Sequence, residues 1–407
     1  MSVRTPRSPA PSLWGVAVTI VLTAAVLRSP IVAVAPVARD IQADLGVSAG
    51  VVGLLTSIPV LAFAVCAPLA VATIRRLGPD LALTLALAGA VVASLVRSAG
   101  DFPAVILGTA LLGVFLTVGN VVVPLIIKRE FPPERVPWAT SLFTSAMNVG
   151  TMTVTLATVP IAAVTDWRVA IAVWGGFGLG ALGVWVGLRR AEALRPDPEA
   201  PATTGVAGRL DGRGRAAALT LSTWLLALAF AGQAFAFYGT TAWLPSLLVD
   251  GGMPAVQAGA VAAVFQVMGV AGALLTPVLT GRLSAAPAAV IIGVGWLAIP
   301  LGFLVAPDGW LVWCLVGGLA QGAGITWVFI MLNGFGGDER VVAGRSGTVQ
   351  GIGYAAGALA PPLLGGVHDA TGDWTPALLI LLGAVVVLLS AGAAGARIGV
   401  REARERW

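Results

Sequence analysis

Charge is scarce in this chain. Only 11% of its 407 residues are charged, less than half the share of an ordinary soluble domain, which excludes a water-coated globule of this length. Cysteine occurs twice and histidine once. Cys66 and Cys314 lie in separate apolar stretches with no second Cys or His at ligand spacing, so a disulfide framework and a zinc site are excluded and both read as small buried hydrophobes. His368, near the outer end of an apolar block, is expected to make an ordinary hydrogen bond rather than to relay protons. No metal-ligand cluster, phosphate loop or Ser/His/Asp set can be assembled, so neither a cofactor nor an enzymatic activity is expected. Strand-like alternation is missing too, which excludes a β-barrel, and no basic patch interleaved with aromatics points to nucleic acid.

What the chain has in excess is apolar residues, at 57% of the whole, in blocks of about twenty, the length that crosses a bilayer as a helix. Twelve blocks begin near Leu13, Ala49, Leu81, Phe102, Val136, Val169, Ala216, Ala255, Ala289, Trp310, Ala343 and Pro376. The expected fold class is therefore an all-α integral membrane protein with twelve transmembrane helices. The first block follows Arg4 and Arg7 and contains "AVA" at Ala33–Ala35, as a cleaved signal peptide would. Its length and the internal repeat argue that it is retained.

Twenty of the 24 Lys and Arg residues fall on the side of the termini, against Arg39, Arg97 and Arg168 on the other. By the positive-inside rule both termini are cytoplasmic, in a bacterial-type cytoplasmic membrane, and the net charge of +5 reflects topology and contact with anionic lipid. Trp138, Trp167, Trp243, Trp310 and Trp374 flank helix ends and are expected in an interfacial belt. "GLGALG" at Gly178–Gly183 spells GxGxxG, but inside a helix with no preceding strand it reads as small-residue packing.

The chain repeats itself. One offset pairs Pro36 with Pro245, Gly50 with Gly259 and Pro68 with Pro277; a second pairs Gly113 with Gly318 and Glu134-Arg135-Val136 with Glu339-Arg340-Val341; a third pairs Asp166-Trp167 with Asp373-Trp374. The offsets are nearly equal, which implies two pseudo-symmetric six-helix halves related by an axis along the membrane normal, as in transporters that rock one half against the other. The expected organisation is a cytoplasmic tail at 1–12, a six-helix bundle at 13–188, a polar Pro- and Gly-containing linker at 189–215, a second bundle at 216–397 and a tail at 398–407.

Six plus six helices around a basic central loop resemble the major facilitator superfamily (MFS fold). Its motif between helices 2 and 3, Gly-x-x-x-Asp-Arg-x-Gly-Arg-Arg, survives here as Arg75, Arg76 and Gly78 in "APLAVATIRRLGPD" without its acidic position, and the second half retains Arg282 in "TPVLTGRLS". The resemblance gives these residues a gating role on the cytoplasmic side. Within the superfamily, "LRSPIVAVAPVARDIQADLGVSAGVVGLLTSIPVLAFAVCAPLA", "GNVVVPLIIKREFP", "SLFTSAMNVG" and "FYGTTAWLPSLL" resemble the cyanate and 2-nitroimidazole transporter family (CynX/NimT). That resemblance implies a cavity lined by helices 1, 4, 7 and 10 with help from 2, 5, 8 and 11.

One residue contradicts its surroundings. Arg28 stands in the first apolar block, about 21 Å above its cytoplasmic end, where a charge costs roughly 2.5–3.5 kcal/mol on insertion scales and normally finds a carboxylate or a watery cavity. All 19 Asp and Glu residues fall in expected loops, tails or helix ends, so no internal acid can pair with it. The remaining partner comes from water, and a planar guanidinium with five donors suits a small carboxylate, a nitrate-like ion, a linear anion or a nitro group. The competing reading is a structural arginine donating to carbonyls freed by Pro30 or to side-chain amides. The polar groups expected near its depth are Asn148, Tyr238, Gln266, Gln350 and Tyr354, with Asn120 and Gln233 nearer the cytoplasm. Together with Arg28 they form the candidate substrate-binding set, each amide being equally suited to bridging helices. Trp327 is expected in core packing rather than at the cavity.

The function these features imply is secondary transport of a small anion or anion-like solute by alternating access, working as a monomer, by uniport, by exchange, or by symport with a proton carried on the substrate or through His368. The alternative is efflux of neutral or apolar compounds with Arg28 structural. A channel would need a polar stripe through the whole membrane, and an embedded enzyme a nucleophile or metal set.

Overall fold

The structure is a computed structural model that describes residues 12–190, 192–196, 219–334 and 339–406. Most of the 189–215 linker and the 1–12 tail therefore lie outside the described residues. Among the described residues twelve helices follow one another, most of them long and apolar enough to cross a membrane: α1 (Leu13–Val32), α2 (Ala49–Val65, continued over 67–77), α3 (79–98), α4 (Phe102–Glu130), α5 (Val136–Val164), α6 (Trp167–Arg189), α7 (Leu221–Asp250), α8 (Ala255–Arg282), α9 (Ala285–Val305), α10 (Trp310–Gly334), α11 (Glu339–Thr371) and α12 (Thr375–Arg406). No strand occurs among the described residues.

Small polar residues set the helix starts. The hydroxyls of Ser12, Ser48 and Thr220 and the carboxylates of Asp101 and Asp166 accept the backbone N–H of the residue three positions on, which satisfies first-turn donors that lipid cannot. Gly78 separates α2 from α3 with φ 79° and ψ 163°, a conformation closed to side-chain-bearing residues, so the hairpin requires glycine at this point.

Helix pairings repeat between the halves. α1 packs on α5 and α6 as α7 packs on α11 and α12, α2 packs on α4 as α8 packs on α10, and α3 meets α6 as α9 meets α12. The halves meet through α2 against α11 and α8 against α5, contacts that are copies of each other under the repeat.

We refer to the end of the bundle holding residues 12 and 406 as the terminal end and the other as the distal end. At the distal end the halves are in close contact. A Cβ added to Gly53 on α2 would stand 2.6 Å from the backbone of Pro361 on α11, so only glycine permits that approach. Gly50 donates its N–H to Asp369 at 2.8 Å. Arg39, on the short helix Ala38–Leu45, pairs with Asp250 at the end of α7. Asp250 also accepts the Trp374 Nε1–H at 2.8 Å, and His368 stacks on Trp374 with centroids 4.0 Å apart. The neighbouring Asp373 carboxyl is held below the usual carboxylate range, chiefly by the Thr375 N–H at 3.1 Å.

Three expectations change. Trp167, Trp243 and Trp374 are buried and donate to Asp44, the Pro361 carbonyl and Asp250. They tie the distal end together, whereas Trp138, 50% exposed, sits as an interfacial tryptophan should. Arg97, expected in a loop, is fully buried at the end of α3 and donates from Nη1 to the Pro30 carbonyl at 2.7 Å. The third concerns the acid missing from the motif at the terminal end, beside which Asp80 gathers an ion-pair cluster. Asp80 receives Arg129 through two bonds of 3.0 and 2.5 Å and stands 3.5 Å from Arg189, which also pairs with Glu130. Arg75, Arg76 and Arg282 are exposed and form no ion pair among the described residues.

Asp250 thus joins Arg39 of one half to Trp374 of the other. Asp250→Ala is expected to cost about 1 kcal/mol or less, since the pair is half exposed, and to open the distal face. Faster maleimide labelling of a Val52→Cys probe in the Asp250→Ala background is the expected outcome; unchanged labelling would mean that apolar packing alone keeps this face shut.

Candidate functional site

A cavity of about 430 Å³ lies between the halves. α1 contributes Arg28; α5 contributes Thr144, Ser145, Met147 and Asn148; α7, α8, α10 and α11 supply the rest of the wall. On α5, α7, α8, α10 and α11 the lining residues come from the middle and the terminal-side half of each helix, while the distal end is closed by the contacts above, so the cavity faces the terminal end. A larger hollow of about 820 Å³ at the distal surface is lined only by residues between Leu247 and Leu378. It belongs to one half and cannot be exposed alternately by rocking the two.

Among the described residues Arg28 is the only charged side chain in the cavity lining. Half-buried, it makes no hydrogen bond or ion pair among the described residues, and its guanidinium carbon stands 5.8 Å from the Phe237 ring centroid, a cation–π contact that offsets part of the desolvation. Arg97 donates to the carbonyl of Pro30 itself, not to the carbonyl one turn back that Pro30 leaves without a helical donor. Tyr238 on α7 and Tyr354 on α11 line the same cavity within Coulombic reach of Arg28. Neither hydroxyl makes a hydrogen bond among the described residues, so both donors remain available to a ligand.

Of the eight residues singled out in the sequence, Arg28, Asn148, Gln233, Tyr238 and Tyr354 come together here. Asn148 bonds only the Thr144 carbonyl of its own helix, at 3.0 Å. Gln233 is 2% exposed, donates to the Gln321 carbonyl at 2.8 Å and accepts the Trp296 Nε1–H at 2.8 Å, so it braces the wall with both ends of its amide. Asn120, Gln266 and Gln350 do not line the cavity. No described part of α4 does, because it packs on helices of its own half, and neither does α2, whose inner face is taken up by α11 across the seam. Gln266 is turned toward the distal seal and bonds the Thr241 hydroxyl at 3.2 Å, and Gln350 bonds Ser346 one turn back. Trp327 is buried away from the cavity and donates to the Ala285 carbonyl.

Gln321, Thr326 and Phe237 line the cavity and were not anticipated. Gln321 carried a usable signal, a lone amide in an apolar run, the same one that had flagged Gln266. Phe237 carried none, since aromatics are spread throughout these helices.

The family model of the Major Facilitator Superfamily matches residues 16–360. The chain belongs to that superfamily. It is 32% identical over 389 residues to the uncharacterized transporter YycB of Bacillus subtilis, covering 93% of this chain and 92% of the relative. It is 29% identical to the 2-nitroimidazole transporter of Escherichia coli over 370 residues, 88% of this chain and 90% of that one. The cyanate transport protein CynX of the same organism is 24% identical over 377 residues, 91% and 95% of the two chains. In fold, the chain matches a bacterial homolog of the human lysosomal transporter Spinster with a TM-score of 0.71 at 16% identity, over 99% of both chains. These relatives and this fold are those of membrane transporters, so the chain is a multi-pass MFS secondary transporter for a small molecule and not an enzyme.

The two kinds of amide separate by experiment. Gln233→Leu strands the buried Trp296 N–H and the Gln321 carbonyl, at about 1–3 kcal/mol, and should lower the thermal midpoint in detergent. Asn148→Ala loses one bond within its own helix and should leave that midpoint unchanged while weakening substrate binding. Equal melting of the two variants would refute this division.

Proposed function

We propose that this transporter carries a small anion or anion-like polar solute, with Arg28 as the central counter-charge. The observation that carries the reading is the state of Arg28 itself: a guanidinium in a cavity between the halves, free of carboxylates, with two unengaged tyrosine hydroxyls beside it. Burying such a cation without compensation is costly, and a cavity open at one end lets water, and then a ligand, supply the compensation. Carboxylate, nitrate, cyanate and nitro groups all accept the parallel donors of a guanidinium.

The likeness to the 2-nitroimidazole transporter and to CynX supports the same reading. Each is named for a solute with oxygen or nitrogen acceptors, and the quoted stretches around Arg28 and Tyr238 carry the resemblance to their family. The charge asymmetry of the loops supports cytoplasmic termini in the inner membrane. The terminal end is then cytoplasmic, the structure faces inward, and the Arg39–Asp250 pair lies on the outer face. In the proposed cycle the anion neutralises Arg28, the halves close over it, and the outer contacts give way. Without an acid in the cavity, coupling runs by uniport, by exchange, or by a proton travelling with the substrate. Nothing in this cycle requires a second copy of the chain.

Arg28→Ala should abolish transport in proteoliposomes while the protein remains folded and membrane-inserted. Arg28→Lys keeps the charge but not the planar fork and should retain a fraction of activity. Full transport by Arg28→Ala would remove the anionic reading and favour neutral compounds moved by a structural arginine.

A further inference from the structure

The walls around Arg28 restrict what the anion can be. Phe237 lies beneath the guanidinium, at 5.8 Å, and touches Tyr238 edge to face with centroids 5.1 Å apart. Tyr354 meets Phe230 in the same manner at 5.5 Å, and Phe230 reaches Phe329 at 6.3 Å. All five rings line the one cavity. They run from the layer of Arg28 toward the terminal end, along the side of α7 and across to α10 and α11.

We infer that the substrate is an aromatic monocarboxylate, bound with its carboxylate on Arg28 and the Tyr238 and Tyr354 hydroxyls and its ring among Phe230, Phe237 and Phe329. This deepens the reading of Arg28 as the counter-charge and rests on it.

Size argues first. A three-atom ion at Arg28 would leave most of a cavity of about 430 Å³ to water, in which its attraction to the cation is screened. Even at the highest binding efficiency per atom it reaches only roughly millimolar affinity, whereas a ring acid of about nine heavy atoms has micromolar affinity within range. Shape argues second. Aliphatic acids fill apolar walls equally well, but five rings favour a flat partner that stacks or meets them edge on. Charge balance argues third. The lining holds one cation and no carboxylate, so one negative charge neutralises it and a second would have no partner. The lining also holds polar groups, Asn148 on α5 and Gln321 and Thr326 on α10, that can meet polar substituents of the ring.

Thermal-shift titration of the detergent-purified full-length protein tests the assignment, with benzoate, its neutral isostere benzamide, acetate and cyanate as probes. Benzoate should bind at least tenfold tighter than acetate or cyanate and tenfold tighter than benzamide. Its shift should vanish in Arg28→Ala and weaken several-fold in Phe237→Leu, a variant that keeps the cavity apolar and the charge in place. Acetate or cyanate binding as tightly as benzoate, still dependent on Arg28, would overturn the aromatic assignment and leave the anionic reading standing. Benzamide matching benzoate in the native protein and in Arg28→Ala would overturn both. Silence from every probe would likewise overturn both.

Discussion

An unpaired cation in a low-dielectric interior is the constraint on which this molecule turns. Surface charges cost their protein little because water stabilises them, but a guanidinium at mid-membrane must be given its own solvent. Three things serve Arg28: the open end of the cavity, the face of Phe237, and whatever anion enters. Closing both ends with the cavity empty would strand the charge in a nearly dry space. Closing them over an anion would not. In the proposed cycle the same charge therefore recognises the substrate and penalises empty turnover, and no further device is needed to keep the empty carrier from changing state freely.

The two halves contribute unequally to this arrangement although they repeat each other in packing. The first half supplies the charge from α1 and a polar strip from α5, whereas the second supplies most of the wall and all five rings. The seal is also lopsided. Glycines on α2 and the Pro361–Gly366 stretch of α11 bring backbones together at the distal end, while the terminal-end charge cluster of Asp80, Arg129, Glu130 and Arg189 lies wholly within one half. That cluster stiffens the first bundle and does not latch it to the second. Exposed Arg75, Arg76 and Arg282 are left free to find partners when the terminal end closes.

The helices were legible because each is long enough to satisfy its own backbone in lipid, and the repeat told which would be neighbours. Side-chain direction was less so. A helix apolar on every face has no period from which to read an inward side, so Asn120 and Gln350 looked as suitable as Asn148 and Gln233 until packing separated them. Depth along the axis can be counted from a sequence, and it brought Arg28, Tyr238 and Tyr354 together correctly. Azimuth cannot be counted, and Gln266, at a suitable depth, points to the seal. The buried tryptophans misled for a related reason: a tryptophan at a helix end suits a lipid interface, but also suits an aspartate or a carbonyl of a neighbouring helix, and only the fold decides between them.

Arg97 sharpens the meaning of Arg28. Both are cations without carboxylate partners in one half of one protein, yet they are used in opposite ways. Arg97 is fully buried, bonds the Pro30 carbonyl, and leaves Nε and Nη2 without partners among the described residues. Pro30 cannot donate to the carbonyl one turn back, so α1 is weakened where it carries Arg28, and Arg97 grips the chain two residues further on. A cation that holds a helix end in place is insulated from water and bound to backbone. Arg28 is half open and, among the described residues, touches only a ring, as the proposed ligand-binding role requires. The contrast between these two environments, within one turn of the same helix, is the strongest physical reason to read Arg28 as a site rather than a brace.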